Sequence, residues 1–154
     1  MDKRDLNINQ ADFLAITKEL LKKGKRFSFK ARGGSMSPFI KDSDTVLIEP
    51  LQGRAGVGDV VLVKTADGKA ILHRIAKRLN NGIVTRSDVS SSYDDFIPVE
   101  NILGRVIHVS GRGFNFHLKY PFSYLIGKRL IYTPALSRIP LVRTAGKLLA
   151  GILG

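Results

Sequence analysis

The sequence predicts a mainly β fold: a barrel-like β-domain, preceded by one amphipathic helix and followed by a basic, apolar, helical tail. Short runs of β-branched and aromatic residues alternate with turn signals, which is typical of an all-β domain. Asp67-Gly68 and Asn80-Asn81-Gly82 are hairpin-turn sequences between consecutive runs. A chain of 154 residues, 44% of them hydrophobic, is large enough to form one core.

The first predicted element is a helix from Asn9 to Lys23. Its apolar face, read at helical spacing, consists of Phe13, Leu14, Thr17, Leu20 and Leu21. Gly24 supplies a stop. The segment is therefore predicted to be an amphipathic helix.

Six strands are predicted after the helix. The first, Arg26–Arg32, alternates Phe27, Phe29 and Ala31 inward and enters a glycine-flanked turn. The others are Thr45–Glu49, Asp59–Thr65, Ala70–Arg78, Gly82–Arg86 and Ile102–Ser110. A short joint, Gly111-Arg-Gly113, follows the last strand. The chain is thus divided into an N-terminal helix (1–25), a β-domain (26–113) and a tail (114–154).

Two residues, Ser35 and His73, are candidates for nucleophilic catalysis. Ser35 lies in Gly33-Gly34-Ser35-Met36-Ser37-Pro38, a turn that can present its hydroxyl to a substrate. Serine becomes a good nucleophile only when a base takes its proton, and histidine titrates near neutral pH. Strand alternation places His73 on one face with Ile71 and Ile75. The pair predicts nucleophilic catalysis; the alternative is an ordinary turn serine and a structural strand histidine.

An ordered series of short segments surrounds these two residues. The series is Ser35–Pro38, Lys41–Ile48, Val57–Val63, Leu72–Ile75, Thr85–Asp88 and Val99–Val106. In this order the segments resemble the type I signal peptidase superfamily, which shares its catalytic fold with the SOS-type self-cleaving repressors. The resemblance covers roughly residues 26 to 110. It implies a serine endopeptidase that cleaves signal or leader peptides.

The residue at position 73 separates two chemistries within that superfamily. Most bacterial signal peptidases and the repressors have lysine there, whereas the archaeal and endoplasmic-reticulum branch has histidine. Leu72-His-Arg-Ile75 is similar to the histidine branch, so the resemblance implies a Ser-His-Asp mechanism. Asp88, within the segment that matches the family's Gly-Asp, is the expected partner of His73. Asp94 or Asp95 is the alternative.

The oxyanion of the reaction is expected to be held by backbone N–H groups at Gly34, Ser35 and Met36. Many family members add a serine hydroxyl two residues before the nucleophile, where this chain has Gly33. One missing donor lowers the rate by about 10²–10³ when nothing replaces it. Ser43 stands where the family has glycine, and we expect only a small change in the shape of that turn.

Charge is distributed unevenly in this basic protein, whose formal net charge is +12. All 13 acidic residues lie at or before Glu100, whereas residues 101–154 carry eight Lys or Arg. Bulky apolar clusters interleave with these charges, which favours helices lying in an anionic headgroup layer. Prolines and spaced charges exclude a conventional transmembrane span from the tail, and no signal peptide or N-terminal anchor is predicted. The alternative is a tail that folds back over the β-domain.

No cofactor or metal is expected, because the chain lacks cysteine and its histidines show no metal-ligand spacing. The expected partners are a peptide or protein substrate, a membrane surface and a membrane protein that supplies an anchor. Nucleic acid is not expected, since no recognition helix or aromatic sheet motif is recognisable. We therefore expect a membrane-associated peptidase. The alternative is a non-catalytic, repressor-like or membrane-associated β-module that keeps the fold without turnover.

Overall fold

The computed structural model describes residues 9–53, 55–111 and 113–118. Its helix, α1, spans Gln10–Lys22. The Asn9 side chain caps this helix by accepting a hydrogen bond from the Asp12 N–H at 2.9 Å, which satisfies a donor that a helix start leaves unpaired. Gly24 follows with φ 71°, a left-handed backbone that glycine adopts without strain. The predicted helix and its stop are confirmed.

In the described part of the chain, eight strands form one antiparallel sheet. They are β1 (Phe27–Lys30), β2 (Thr45–Glu49), β3 (Val60–Lys64), β4 (Ala70–Leu79), β5 (Gly82–Arg86), β6 (Phe96–Pro98), β7 (Ile102–Gly111) and β8 (Phe114–His117). The order across the sheet is β1-β2-β7-β3-β4-β5-β6, and β8 pairs with β7. All six predicted strands are present, with ends within two residues of the prediction. The mainly β fold class is confirmed.

Two strands were not predicted. β6 has only three residues and ends in proline, so it offers too little alternation to be recognised; it pairs with β5, with Ile97 opposite Ile83. β8 pairs with β7 and carries the sheet past residue 113, where the β-domain was expected to end. Residues 119–154 of the expected tail lie outside the described residues. Within the described part, no helix is long and apolar enough to cross a membrane.

Among the residues that the structure describes, the hydrophobic core has two clusters, and β3 contributes to both. Val60 and Leu62 belong to one cluster, whereas Val61 and Val63 belong to the other. Successive side chains of a strand point to opposite faces of the sheet, so β3 is covered on both sides. Double-sided burial explains why β3 reads as an unbroken apolar run and not as an alternating one.

The helix packs against the sheet close to Gly104 on β7. A Cβ atom at Gly104 would lie 2.7 Å from the Glu49 carbonyl oxygen and 3.0 Å from Cδ1 of Leu21, whose side chain is buried. The Phe13 ring meets the Phe29 ring edge-on, with 5.0 Å between the ring centroids. The apolar face predicted for the helix is therefore the face that it buries, and glycine on β7 permits the close approach.

Candidate active site

Ser35 lies in the turn that connects β1 to β2. Gly33, with φ 81°, begins this turn, and its N–H donates to Oδ1 of Asp42 at 2.9 Å. This hydrogen bond, followed in strength by one from the Ser43 hydroxyl, lowers the pKa of Asp42 below its ordinary value. Ala31 is linked to the same loop, because its N–H donates to the Asp44 carbonyl and its carbonyl accepts from the Ser43 N–H. The backbone that leads into Ser35 is thus held in place by hydrogen bonds to residues 42–44.

The segment after Ser35 anchors the turn in the core. Met36 and Ile40 are buried and belong to the first apolar cluster. The Met36 carbonyl accepts hydrogen bonds from the N–H groups of Phe39 and Ile40, which closes a helical turn directly after the serine. Ser35 itself is half-buried. Burial of its neighbours holds the serine in a defined place at the edge of the core.

The Ser35 carbonyl joins the turn to the segment that follows β5. It accepts hydrogen bonds from the Asp88 N–H at 2.9 Å and the Val89 N–H at 3.3 Å. Asp88 is the last residue of the Thr85–Asp88 segment that the sequence singled out, and Val89 directly follows it. The serine turn is therefore held against the same part of the sheet that carries the candidate acids.

Asp88 forms a buried ion pair with Arg74. The Nε and Nη2 groups of Arg74 donate to the two oxygens of Asp88 at 2.8 and 2.7 Å, and both side chains are only 2% exposed. Arg74 also donates to the Gly58 carbonyl at 2.7 Å and lies 5.7 Å from the centroid of the Phe39 ring. Asp88 was the expected partner of His73, and the structure corrects that pairing: Arg74 occupies both of its oxygens.

His73 on β4 pairs with Asp94, the alternative partner. Its Nδ1 lies 2.6 Å from Oδ2 of Asp94, with the two side chains 14% and 28% exposed. A carboxylate accepts hydrogen bonds, so in a neutral His73 ring this contact assigns the proton to Nδ1 and leaves Nε2 with a lone pair. Asp95, the other alternative, is exposed. The imidazole is thus held in the tautomer that a general base needs.

Thr85 on β5 is a member of this site whose role the sequence did not indicate. Its hydroxyl donates to Oδ2 of Asp94 at 2.6 Å, and its carbonyl accepts from the Asp94 N–H at 2.9 Å. No local pattern links two residues nine positions apart across a loop. The signal lies in the strand register, because Thr85 is opposite Ile75 and so shares a face of the sheet with His73.

Two hydrogen-bonded contacts join the Ser35 turn to β4, the strand that carries His73. The Ser35 carbonyl binds the Asp88 amide, Asp88 binds Arg74, and Arg74 follows His73 on β4. Among the described residues, neither the Ser35 hydroxyl nor Nε2 of His73 has a hydrogen-bond partner. In this part of the chain, the hydroxyl and the ring nitrogen that a Ser-His reaction would use therefore bind no other protein group.

The backbone around Ser35 contains donors for a developing negative charge. The N–H groups of Gly34, Ser35 and Met36 donate to no residue in the described part of the chain, whereas the Gly33 N–H is taken by Asp42. Unpaired backbone N–H groups next to a nucleophile are the usual material of an oxyanion hole. No group of three or more metal-binding side chains comes together within residues 9–53, 55–111 and 113–118.

A comparison with protein families identifies the group to which this architecture belongs. The profile described as Peptidase S24-like matches residues 3–107, more than half of the chain. The chain belongs to the Peptidase S24-like family. That family shares a clan with signal peptidase I and the self-cleaving repressors, so the resemblance of the ordered segments is confirmed at clan level.

Membership of the Peptidase S24-like family means that the Ser35 turn and His73 lie within a fold of the serine-peptidase or self-cleaving-repressor type. A comparison with curated proteins gave no match. The branch of the clan and the roles of individual S24-like residues are therefore argued from the geometry of this chain.

Proposed function

We propose that this S24-like protein is a serine endopeptidase of the signal-peptidase type, with Ser35 as nucleophile, His73 as general base and Asp94 as the acid that orients His73. The observation that carries the proposal is the 2.6 Å contact between Nδ1 of His73 and Oδ2 of Asp94. A carboxylate on Nδ1 fixes the tautomer whose Nε2 accepts a proton and stabilises the imidazolium that then forms.

The reaction begins when the Ser35 hydroxyl attacks the carbonyl carbon of a peptide bond. Its proton passes to Nε2 of His73, and the backbone N–H groups at Gly34, Ser35 and Met36 hold the oxyanion. His73 gives the proton to the departing amine, which leaves an acyl-enzyme on Ser35. Water then loses a proton to the same Nε2 as it attacks the ester, and His73 returns that proton to the Ser35 oxygen as the ester bond breaks and the acid product leaves.

Histidine distinguishes this proposal from the lysine chemistry elsewhere in the clan. A lysine serves as a base near neutral pH only when burial or neighbouring charge lowers its pKa, whereas an imidazole titrates there unperturbed. The His73 side chain is partly exposed, and its Nδ1 lies 2.6 Å from Oδ2 of Asp94. The surroundings of position 73 thus suit the residue that occupies it.

The proposed substrate is a signal or leader peptide, bound as an extended segment along a strand edge beside Ser35, with small side chains near the cut. Its support is the clan membership, together with the serine turn that stands beside the segment after β5. We further propose that the protein acts at a membrane surface, with a membrane partner that supplies an anchor. The support for this is the net charge of +12 and the apolar, acid-free sequence after Glu100.

The test is cleavage of a leader-peptide library by the full chain in detergent micelles. Ser35→Ala and His73→Ala should abolish cleavage, and Asp94→Asn should lower kcat by about 10²–10⁴ because the amide favours the wrong imidazole tautomer. The matched controls are Ser37→Ala, in the same turn, and His108→Ala, on β7, both of which should cleave like the wild type. Equal cleavage by wild type and Ser35→Ala would reject the proposal.

The second candidate function is a non-catalytic β-module. The observation that favours it is Gly33, which offers no hydroxyl to the oxyanion and whose N–H is already taken by Asp42. A wild-type protein that binds leader peptides but cleaves none, in micelles and with membrane extracts alike, would support the module over the peptidase.

A further inference from the structure

Thr85 is one of the most deeply buried polar residues in the described structure, with 0% of its surface exposed. It lies on β5 and touches Asp94 twice. Its hydroxyl donates to Oδ2 of Asp94 at 2.6 Å, and its carbonyl accepts from the Asp94 N–H at 2.9 Å. A single strand residue therefore binds both the side chain and the main chain of Asp94.

Asp94 needs such support because of where it lies. It belongs to the connection between β5 and β6, and its side chain is 28% exposed. A carboxylate on a loop has several rotamers, including some that point to solvent. It is restricted to one rotamer only when a fixed group binds it. The buried hydroxyl of Thr85 is that fixed group, and it binds the same oxygen that His73 binds.

We propose that Thr85 is a positioning residue that holds the Asp94 carboxylate in the rotamer that orients His73. The inference rests on the proposed function, in which Asp94 is the orienting acid. Thr85 acts through Asp94 and does not touch the reacting atoms. The site then comprises Ser35, His73 and Asp94, with Thr85 behind the acid.

A second buried threonine shows what a merely structural threonine looks like in this chain. Thr17 on α1 is also 0% exposed, yet its hydroxyl has no hydrogen-bond partner among the described residues. Replacement by valine keeps the shape of threonine and removes only the hydroxyl. Thr17→Val is therefore a matched control for Thr85→Val.

The experiment compares Thr85→Val, Thr85→Ala, Thr85→Ser and Thr17→Val in the full chain. One readout is leader-peptide cleavage, and the other is the NMR signal of the proton on Nδ1 of His73, which the Asp94 contact protects from exchange with water. Thr85→Val should lower kcat about tenfold with KM unchanged, and the Nδ1 proton signal should broaden or vanish. Thr85→Ser should restore both, and Thr17→Val should change neither. Thr85→Ala takes the place of the valine variant if that variant does not fold.

Two further outcomes decide the inference. If folded Thr85→Val or Thr85→Ala keeps the wild-type kcat and a sharp Nδ1 proton signal, Thr85 does not position Asp94. If the wild type cleaves no peptide, the proposed function fails, but the NMR signal still tests the inference. If Thr85→Val loses that signal while the wild type, Thr85→Ser and Thr17→Val keep it, Thr85 positions the Asp94–His73 pair independently of turnover.

Discussion

Asp88 and Asp94, both in the connection between β5 and β6, have different surroundings. Asp88 is 2% exposed and gives both oxygens to Arg74, whereas Asp94 is 28% exposed and gives one oxygen to His73 and Thr85. A buried carboxylate that accepts two hydrogen bonds from one guanidinium is fixed in place. A carboxylate that binds Nδ1 of an imidazole sets the orientation of that ring. Substitution of Asp88 should therefore lower the free energy of unfolding, whereas substitution of Asp94 should lower turnover.

Asp88→Asn should lower the free energy of unfolding by about 3–5 kcal/mol, because it leaves Arg74 as an uncompensated buried charge. Urea unfolding followed by circular dichroism measures the change. The matched control is Asp67→Asn, which breaks an exposed pair with Lys69 and should leave the midpoint in place. An unchanged midpoint in Asp88→Asn would show that Arg74 finds other partners.

Ser43 has φ 68°, the left-handed backbone that glycine tolerates best. Serine was expected to reshape this turn only slightly where the family has glycine, and the observed φ shows that the glycine-like conformation is kept. Ser43→Gly should raise the free energy of unfolding by about 0.5–1 kcal/mol, as relief of strain outweighs the added freedom of the unfolded chain.

The midpoint of urea unfolding tests the effect of Ser43→Gly, with Ser28→Gly on β1 as the control. Ser28 is an exposed strand residue, so glycine there should lower the midpoint. If both variants move the midpoint in the same direction, backbone strain at Ser43 is not the cause.

At the level of elements, the β4–β5 hairpin carries His73 and Thr85. Its register sets Arg74 opposite Arg86 and Ile75 opposite Thr85, and it shifts between Ile75 and Lys77. A slip of one residue would turn every side chain to the other face of the sheet. Val61 on β3, opposite His73, and Ile75 on β4 belong to the same buried cluster. Their burial therefore also fixes the face of the sheet on which His73 lies.

Gly104→Ala should weaken the packing of α1 and β2 on β7. The added methyl group would meet the Glu49 carbonyl and the Ile48 side chain at 2.7 Å, and backbone atoms cannot yield cheaply. We expect a loss of about 1–3 kcal/mol in the free energy of unfolding. Gly34→Ala is the control, because nothing lies within 4 Å of a Cβ there, and a normal midpoint in Gly104→Ala would contradict the packing described.

Over the whole molecule, charge is separated along the chain. The 13 acidic residues end at Glu100, so the sequence beyond it is basic without compensation. A basic segment with interleaved apolar clusters should bind anionic lipid by both charge and burial. Salt screens the charge part and leaves the apolar part, so the two contributions can be separated.

Cosedimentation with vesicles tests this property of the full chain. We expect strong binding to vesicles that contain phosphatidylserine, much weaker binding to phosphatidylcholine alone, and partial retention at about 1 M salt, where the Debye length falls to roughly 3 Å. Binding to duplex DNA that outcompetes the vesicles and disappears in salt would instead indicate a nucleic-acid partner.

The sequence predicted α1, six of the eight strands and the serine turn, because each depends on a local pattern. Helical spacing and a glycine stop identify α1, alternation identifies β1, and turn residues separate the hairpins. β6 and β8 were not predicted, because each is a short strand whose place in the sheet depends on its partner. The ordered segments also predicted the clan, since their order is a property of the chain itself.

Tertiary structure alone decided which acid meets His73. Asp88 lies 14 positions from Arg74, and Asp94 lies 21 positions from His73, so their contacts depend on the strand register and on the path of the connection after β5. A shift of one position changes the face to which a side chain points, and sequence spacing does not resolve a loop to that accuracy. The sequence identified the serine, the histidine and three candidate acids. The folded sheet determines that Asp94 is the acid that contacts His73 and that Thr85 binds Asp94.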